Sequence, residues 1–590
     1  MLHPERPAMS VALNENRKRR ETVSAAGPYL ASPLAILAIA VIAVCLLLSL
    51  PVSVPIGPMY WDVYIYYDAA NRIFSGQAPI LDFFTPVGPL GYYLFAGWLA
   101  VFPNGQPALM AHWSLLAVTA PLMALVVWDV QRRSRIVALA LLVPFLIFAL
   151  LPFNTREFYP FPGSDAFGIY NRQVCQMLYV LVAAILFMQE RRLLAVVITL
   201  AITAMFFLKI TGFVAGGIIA AYAFMAGRVP LRYAVASAVA FFAILGILEI
   251  ATGIVTAYVR DILLLVEMNS GTLAPRFLQS ASLNFGMLAP TGTLALLLIW
   301  SNRAKLIGRA KGAFARASLV EAAAFFDSKA FWLLVVLFAG ILFETQNTGS
   351  QALVFLWPVV LAVILGIGGM ISRPALMIAV AGLSAAISLP PAVAIAERAA
   401  RAYVGGIKNT HLEASNLKTF GHVNMREEVA DRVEHMLGFY PEHRALYDDM
   451  IAVGELPTPV LYSDFDFQII YLSAVDRAID SIHALEAARG VRFETIASLN
   501  FVNPFPWLMD RRAPRHIAIG ADPFRAVPAP GSAEETAVAE TDLVLYPTCP
   551  PTTANAALYK LYEPALVKHR RIRLDACYDA FVNPKFTGIE

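Results

Sequence analysis

Long apolar runs recur along most of this chain, and they constrain its fold more than any other feature. A helix needs about 17–25 predominantly apolar residues to cross a bilayer. Of the residues in this chain, 58% are hydrophobic and 15% are charged, whereas soluble domains are nearer about 45–50% and 25%. The sequence therefore predicts a multi-span α-helical membrane protein with about eleven transmembrane helices. The predicted spans lie near residues 29–50, 108–128, 136–152, 173–189, 193–209, 210–226, 233–254, 282–300, 330–343, 350–369 and 374–392.

Basic residues on alternate connections between these runs predict the orientation of the chain. By the positive-inside rule, connections rich in Lys and Arg are cytoplasmic. Residues 1–28 then form a basic cytoplasmic tail, residues 29–392 a transmembrane domain, and residues 51–107 its first periplasmic loop. Counting residues 87–102 as a span would break this alternation, so these residues are predicted to form an amphipathic helix on the outer interface. The basic connections lie at residues 17–20, 132–135, 191–192, 228–232, 303–316 and 373.

Lys209 divides one long apolar stretch, residues 193–225, into two predicted spans. At 1.5 Å per residue, one helix of this length is too long for a single crossing. A tight hairpin at residues 209–212 would place the lysine at the outer surface. It would also avoid the cost of about 2.5–3.5 kcal/mol for a charge at the bilayer centre.

The composition changes after about residue 392, where charged residues become dense. The short β-rich runs TPVLYSD, RFETIASL and TDLVLYP alternate with helical stretches, which predicts a small α/β domain with a partly parallel sheet. With eleven spans and a cytoplasmic start, residues 393–590 form a periplasmic domain. That compartment permits disulfides, and the sequence leaves open whether Cys549 and Cys577 are bridged.

The loop after the first apolar run is far more polar than its surroundings and contains the candidate catalytic acid. Asp62 is expected at the boundary between water and lipid, where a partly desolvated carboxylate can act as a general base. Alternatively, Asp62 caps a helix over residues 63–74. Asp68 lies about 240° further round that helix and is expected to point elsewhere. Asp82, in a proline-rich turn, is a candidate supporting acid that could orient Asp62, bind a divalent metal or only cap the turn.

Basic residues on the predicted outer connections are candidates for binding an anionic, lipid-linked substrate. Phosphate groups pair well with guanidinium and ammonium groups, although such residues can also contact lipid headgroups. These candidates are Lys209, Arg156, Arg260 and Arg276. The outer loop ETQNTGSQ suits hydrogen bonding to sugar hydroxyls or forms an ordinary turn, and its candidates are Glu344, Gln346 and Asn347. The net charge of +3 is too small to indicate nucleic acid as a partner.

The first loop resembles that of the GT-C superfamily, whose members are integral-membrane glycosyltransferases that use polyprenyl-phosphate-linked sugars. That loop has a short acidic motif, an aromatic and alanine-containing helix, a glycine, Pro-x-x-Asp-Phe and a proline-rich turn before an aromatic helix. The matching residues are Asp62, Tyr66, Tyr67, Ala69, Ala70, Gly76, Pro79, Asp82, Phe83, Pro86, Pro89, Tyr92 and Tyr93. Lys209, in LKITG, matches the family's lysine after a leucine-rich span. The chain departs from the family at Val63, where a second acid is common, and at Val87, where many relatives carry a lysine.

The resemblance implies an inner-membrane enzyme that moves a sugar from a polyprenyl-phosphate donor to an envelope glycan or lipid acceptor on the periplasmic face. The displacement would be inverting, with Asp62 deprotonating the acceptor hydroxyl, cations holding the departing phosphate and Tyr66 contacting acceptor or sugar. No cofactor is implied with certainty, and a divalent metal is compatible with the family.

A non-catalytic membrane protein is the competing interpretation: a transporter, a lipid-binding protein or a degenerate GT-C partner. Transporters place charged groups near the bilayer midplane. The main candidate for such a group, Glu249, lies close to the end of a predicted span, which argues against transport.

The charge alternation predicts the outcome of a topology experiment. Alkaline phosphatase fused after Ala400 should be active, because that point is predicted to be periplasmic, and the same reporter fused within residues 303–316 should be silent. The reverse pair of results would overturn the eleven-span orientation and move residues 393–590 to the cytoplasm.

Overall fold

The computed structural model describes residues 32–57, 59–155, 163–315, 317–346, 351–456 and 465–588, which are mostly helical. Helices dominate the chain as far as residue 405, as the recurring apolar runs predict. They are α1 (Pro33–Leu48), α2 (Trp61–Phe74), α3 (Leu90–Val101), α4 (Pro107–Trp113), α5 (Leu116–Gln131), α6 (Arg135–Leu150), α7 (Ile169–Phe187), α8 (Arg191–Leu208), α9 (Ile210–Met225), α10 (Leu231–Thr252), α11 (Ile254–Asn269), α12 (Leu273–Leu283), α13 (Phe285–Ser301), α14 (Arg303–Ala315), α15 (Leu319–Phe326), α16 (Lys329–Phe343), α17 (Trp357–Ile364) and α18 (Pro374–Gly405).

Several of these helices are long and apolar enough to cross a membrane. Among the described residues, α7, α8, α10 and the helical stretch that begins at Pro374 meet this condition by length and composition. Three bent helix pairs would raise the number to seven: α4 with α5, α11–α12 with α13, and α15 with α16. Shorter apolar helices, such as α1, α6 and α9, fall below the required length. A helical chain with several apolar spans is therefore confirmed, and the number eleven stays a prediction.

The break at Lys209 produces the predicted helical hairpin. Helix α8 ends at Leu208, α9 begins at Ile210, and the lysine between them has an extended backbone with φ −162° and ψ 126°. Gly216 of α9 faces the side chains of Ile202 and Met205 on α8, so the two helices fold back on each other. The predicted position of Lys209 at the outer surface of the membrane stays a prediction, and within the protein the lysine side chain is buried, with 6% of its surface exposed.

Helix α2 is buried on every side, although its sequence is polar for this chain. All residues from Trp61 to Arg72 are buried. The helix packs against α3 and also against aromatic residues far along the chain, because large rings gain most when they are removed from water. The ring pairs and their centroid distances are Trp61–Tyr471 at 5.2 Å, Tyr64–Phe420 at 5.1 Å and Tyr67–Trp507 at 5.1 Å.

The chain beyond residue 405 combines further helices with two small sheets. Helix α18 continues without a break past residue 392, the predicted end of the transmembrane domain. The later helices are α19 (Glu427–Glu442), α20 (Arg444–Ala452), α21 (Phe465–Arg489), α22 (Phe505–Leu508), α23 (Ser532–Glu540) and α24 (Thr553–Leu566). The strands are β1 (Val54–Pro55), β2 (Thr410–His411), β3 (Val423–Met425), β4 (Ile496–Ser498), β5 (Leu543–Pro547), β6 (Arg570–Arg573) and β7 (Tyr578–Val582).

Both sheets are mixed. The first has the order β1-β3-β2, so a strand of the first loop pairs in parallel with β3. The second has the order β4-β5-β7-β6, with β4 and β5 parallel and the remaining pairs antiparallel. The parallel pair arises from two of the runs that the sequence predicts as strands, RFETIASL and TDLVLYP. The third run, TPVLYSD, lies outside the described residues.

A disulfide joins Cys549 and Cys577, which answers the question that the sequence leaves open. The two cysteines lie beyond β5 and before β7, and the N–H of Thr548 donates to the carbonyl oxygen of Cys577. The bridge therefore holds together the ends of two paired strands in the second sheet.

Loss of this bridge should destabilise the second sheet. The cysteines are 28 residues apart in the chain, and closure of such a loop corresponds to about 3–4 kcal/mol. Cys549→Ser should make this part of the chain more sensitive to protease while the apolar helices stay inserted in the membrane. Non-reducing mass spectrometry should find the two cysteine peptides linked, and alkylation of both thiols in fresh membranes would contradict the bridge.

Candidate active site

An open cavity, here called the first cavity, lies where α2, the break at Lys209, helices α11 and α12 and the segment over residues 520–526 meet. It encloses about 1420 Å³ including its open mouth. One part of its wall is apolar, with Ile262, Leu265, Val266 and Leu273 from α11 and α12. Its charged lining residues are Asp62, Lys209, Asp261, Arg276, Asp522 and Arg525.

Asp62 lies at the base of α2 and contacts the beginning of a second helix. Its backbone N–H donates to the carbonyl oxygen of Ala166 at 3.0 Å, and its Oδ2 accepts from the N–H of Ile169 at 3.0 Å. Ile169 is the first residue of α7, where the partial positive charge of the helix terminus favours an anion. The expected cap of its own helix is therefore wrong: α2 begins at Trp61, and the Asp62 carboxylate caps α7 instead.

The environment of Asp62 changes its acidity. Only 2% of its surface is exposed, and burial raises the pKa of the carboxyl group to about 7, although the N–H groups of Ile169 and Gly168 act in the opposite direction. A carboxylate with this pKa is partly ionised at neutral pH and can take a proton from a hydroxyl group. Asp62 thus combines a raised pKa with a position in the lining of the first cavity.

Lys209 is a fixed cation in the wall of the same cavity. Its Nζ donates to Oδ1 of Asn171 and lies 5.2 Å from the ring centroids of both Tyr170 and Phe343. The negative charge of the buried Glu344 also attracts it. These contacts come from α7 and α16, and they offset the desolvation of a buried ammonium group.

Two guanidinium groups extend the positive charge along the cavity. Arg276 lies on α12, and Arg525 lies on the segment between α22 and α23. The Nε of Arg525 donates to Oδ2 of Asp522 at 2.6 Å, and its carbonyl oxygen accepts from Asn269 at 3.2 Å. Neither Asp522 nor Arg525 carries a local sequence signal, because each reaches the cavity only through the folding of the last part of the chain.

The structure brings together some of the predicted site residues and separates others. Asp62, Tyr66, Lys209 and Arg276 share the first cavity, where the Tyr66 hydroxyl donates to Gln173 at 3.4 Å. Arg260 lines a different cavity beside it. The charge of Glu344 acts on Lys209, but Glu344 is not among the residues that line the first cavity.

The side chains of three predicted site residues, Gln346, Arg156 and Asn347, are not described by the structure. Gln346 is the last residue of a short 3-10 helix, Glu344–Gln346, and only the backbone of Gln346 is described. Arg156 and Asn347 lie outside the described residues.

The predicted supporting acid, Asp82, lies away from Asp62. Its Oδ2 accepts from the N–H of Ala78 at 2.7 Å, and its other oxygen forms an ion pair with Arg515 at 3.6 Å. Asp82 therefore closes its own proline-rich turn, and it lines the neighbouring cavity rather than the first.

Asp68 points away from the first cavity, as its position on the helix predicts. It forms a buried ion pair with Nε of Arg72 at 2.8 Å, one turn further along α2. Arg72 also donates to the carbonyl oxygen of Pro514 at 2.8 Å and so connects the helix to the last part of the chain. Asp68 has a structural partner and no access to the cavity.

Candidate metal ligands do not converge in the part of the chain that the structure describes, where no group of three His, Cys, Asp or Glu residues is close enough to hold a metal ion. The charged groups of the first cavity include three carboxylates, but these are spread over its walls.

Comparison with known proteins gives similarities in fold alone. No family model and no curated protein matches the chain. ArnT from Cupriavidus metallidurans in the apo state matches 95% of this chain and 100% of its own length, at 9% identity and TM-score 0.34. The archaeal oligosaccharyltransferase AglB from Archaeoglobus fulgidus matches 91% of this chain and 72% of its own, at 13% identity and TM-score 0.27. At these identities and TM-scores the matches carry no argument about the fold class or the site of this chain.

Replacement of Asp68 should destabilise the protein without altering the first cavity. Asp68→Asn leaves the buried Arg72 without its charged partner, and breaking a buried ion pair typically costs about 3–5 kcal/mol. We expect lower abundance and a lower thermal unfolding midpoint in detergent. Asp82→Asn is the matched control, because Asp82 is partly exposed and should cost about 1 kcal/mol or less. Equal stability of Asp68→Asn and wild type would contradict a structural ion pair.

Proposed function

We propose that this protein is a membrane glycosyltransferase that moves a sugar from a polyprenyl-phosphate donor to a hydroxyl group of an envelope glycan or lipid. The observation that carries the proposal is the first cavity, which combines the buried Asp62 carboxylate with the cations Lys209 and Arg276. A base for the acceptor and positive charge for the leaving phosphate are the two requirements of such a transfer.

In the proposed reaction the carboxylate acts on the acceptor, and the cations act on the leaving phosphate. Asp62 takes the proton of the acceptor hydroxyl as its oxygen bonds to the anomeric carbon of the donor sugar. The bond between that carbon and the phosphate oxygen breaks, and the electron pair leaves with the lipid phosphate. Lys209 and Arg276 neutralise the charge that develops on the phosphate. Attack from the face opposite the leaving group inverts the anomeric configuration.

The shape of the cavity wall also suits a lipid-linked donor. Leu265, Val266 and Leu273 face the cavity from α11 and α12, next to the cationic side chains. An isoprenoid chain is apolar and its phosphate is anionic, so adjacent apolar and cationic walls provide matching surfaces for both parts. Arg276 and Lys209 would then lie where the two parts of the donor join.

The proposal includes the orientation derived from charge. Residues 29–392 would cross the inner membrane about eleven times, with the amino terminus cytoplasmic and residues 393–590 as a periplasmic α/β domain. Asp522 and Arg525 come from that last part, so it would complete the donor site from the periplasmic side. This arrangement supports chemistry on the periplasmic face.

A non-catalytic role is favoured by one observation. The Asp62 carboxylate caps α7, and a cap could be its whole function, in which case the cavity would bind or carry a lipid without transferring sugar. The alternatives are separated by replacing the carboxylate with an amide, because an amide oxygen can still accept from the N–H of Ile169 but cannot take a proton.

Asp62→Asn should therefore abolish transfer while the protein accumulates normally. We expect a loss of roughly 10²–10⁴-fold in sugar transfer, the usual contribution of a general base. The assay is profiling of envelope glycans and lipids in a deletion strain complemented with each variant. Glu267→Gln, which replaces an exposed acid that lines neither the first cavity nor the neighbouring one, should restore the missing sugar. Full restoration by Asp62→Asn at normal abundance would show that Asp62 is only a cap.

The pH dependence of transfer should follow the ionisation of Asp62. Its pKa is raised to about 7, and the ionised form is the base, so the wild-type rate should rise with pH through about 7 and then level off. The residual rate of Asp62→Asn should lack this rise. A wild-type rate that falls over the same range would be incompatible with Asp62 as the base.

A further inference from the structure

A second cavity lies directly beside the first, and Asp261 lines both. The second cavity encloses about 1000 Å³ including its open mouth. Its wall is more polar than the α11–α12 side of the first cavity, with Arg260 from α11, His516 from the last part of the chain, and Asp82 from the first loop. The ring of Tyr562 forms another part of the wall.

Asp261 differs from the other acids of the second cavity. It has 6% of its surface exposed, and its Oδ2 lacks a hydrogen-bond partner among the described residues. The other acids are used internally: Asp82 accepts from the N–H of Ala78, and Glu534 accepts from the N–H of Gly531 at 2.9 Å. A buried carboxylate oxygen without a partner costs free energy, so a ligand that donates hydrogen bonds would relieve that cost.

The backbone around the second cavity is held in unusual conformations. Ile80 and His516 line it and have φ angles of +76° and +66°. A positive φ is strained for a β-branched residue such as Ile80. Both conformations are fixed by backbone hydrogen bonds, from Ile80 to Phe83 and from His516 to Asp82. Such strain is found preferentially at sites that bind ligands.

We propose that the second cavity binds the acceptor, that the acceptor is a polyhydroxylated saccharide group, and that Asp261 binds its hydroxyls. This inference rests on the proposed function and adds the acceptor site to it. Saccharide hydroxyls are hydrogen-bond donors that suit Asp261, and they are also acceptors for the Arg260 guanidinium. Because Asp261 faces both cavities, a saccharide bound there extends towards the cavity that contains Asp62.

Direct binding to the purified full-length protein tests this proposal without requiring turnover. The probes are methyl α-D-mannopyranoside, methyl α-D-glucopyranoside and methyl β-D-galactopyranoside, measured by saturation-transfer difference NMR in detergent. At least one glycoside should bind wild type and Asp62→Asn equally. Asp261→Asn should weaken that binding at least tenfold, which corresponds to the loss of a hydrogen bond to a charged group, and Asp261→Leu should abolish it.

Glu267→Gln is the matched control, because Glu267 is an exposed acid on the same helix and lines neither cavity. It should bind the glycoside as wild type does. The thermal unfolding midpoint gives the second readout: Asp261→Leu should unfold no earlier than wild type, because the buried oxygen loses no internal hydrogen bond. If the leucine variant does not fold, Asp261→Asn alone decides the binding result.

The possible outcomes separate the two proposals. Failure of every glycoside to bind wild type, or equal binding by wild type and Asp261→Asn, overturns the acceptor site. Loss of binding in Glu267→Gln to the same extent also overturns it. If glycoside binding depends on Asp261 while Asp62→Asn still restores the envelope sugar, the acceptor site stands and the catalytic assignment of Asp62 fails.

Discussion

The burial of helix α2 is the constraint on which the rest of the structure depends. This short helix carries two carboxylates and an arginine, yet it is enclosed by α3 and by aromatic rings from α21 and α22. Each buried ring contributes about 1.5–3 kcal/mol of apolar burial, and these contacts fix the helix in one orientation. That orientation directs Asp62 to the start of α7 and to the first cavity, and it directs Asp68 to Arg72.

The sequence identifies some of the charged residues that line the first cavity and misses others. Asp62, Lys209 and Arg276 are identifiable because each is a charged residue on a predicted outer connection. Asp522 and Arg525 are not, because they lie hundreds of residues away and reach the cavity only through tertiary packing. The hydrogen bond that Asp62 accepts is also hidden from local sequence patterns, because its donor, the N–H of Ile169, lies 107 residues further along the chain.

Lys209 shows why the fold is easier to predict than the environment of a side chain. The hairpin follows from the length of the apolar stretch and from the charge in its middle. The predicted position at the outer membrane surface follows from the cost of a lone ammonium group in the bilayer. The contacts of Lys209 with Asn171, Tyr170 and Phe343 are not revealed by the local sequence. One strand of the second sheet is also hard to predict from local sequence. Strand β6 has the sequence RRIR and is mostly exposed, so it lacks the apolar alternation that predicts a strand.

The two acids of α2 show how one buried helix can separate stability from reactivity. The carboxylate of Asp68 is paired with the guanidinium group of Arg72, so its charge is already neutralised within the helix. Asp62 accepts from the N–H group of Ile169 and is also stabilised by the N–H group of Gly168, but these groups do not outweigh its burial, so its pKa stays near neutrality. A nearby arginine at Asp62 would stabilise the anion and make it a weaker base. The cations of the first cavity therefore serve the proposed reaction best on the side of the departing phosphate, where Lys209 and Arg276 can neutralise developing charge without pairing directly with the base.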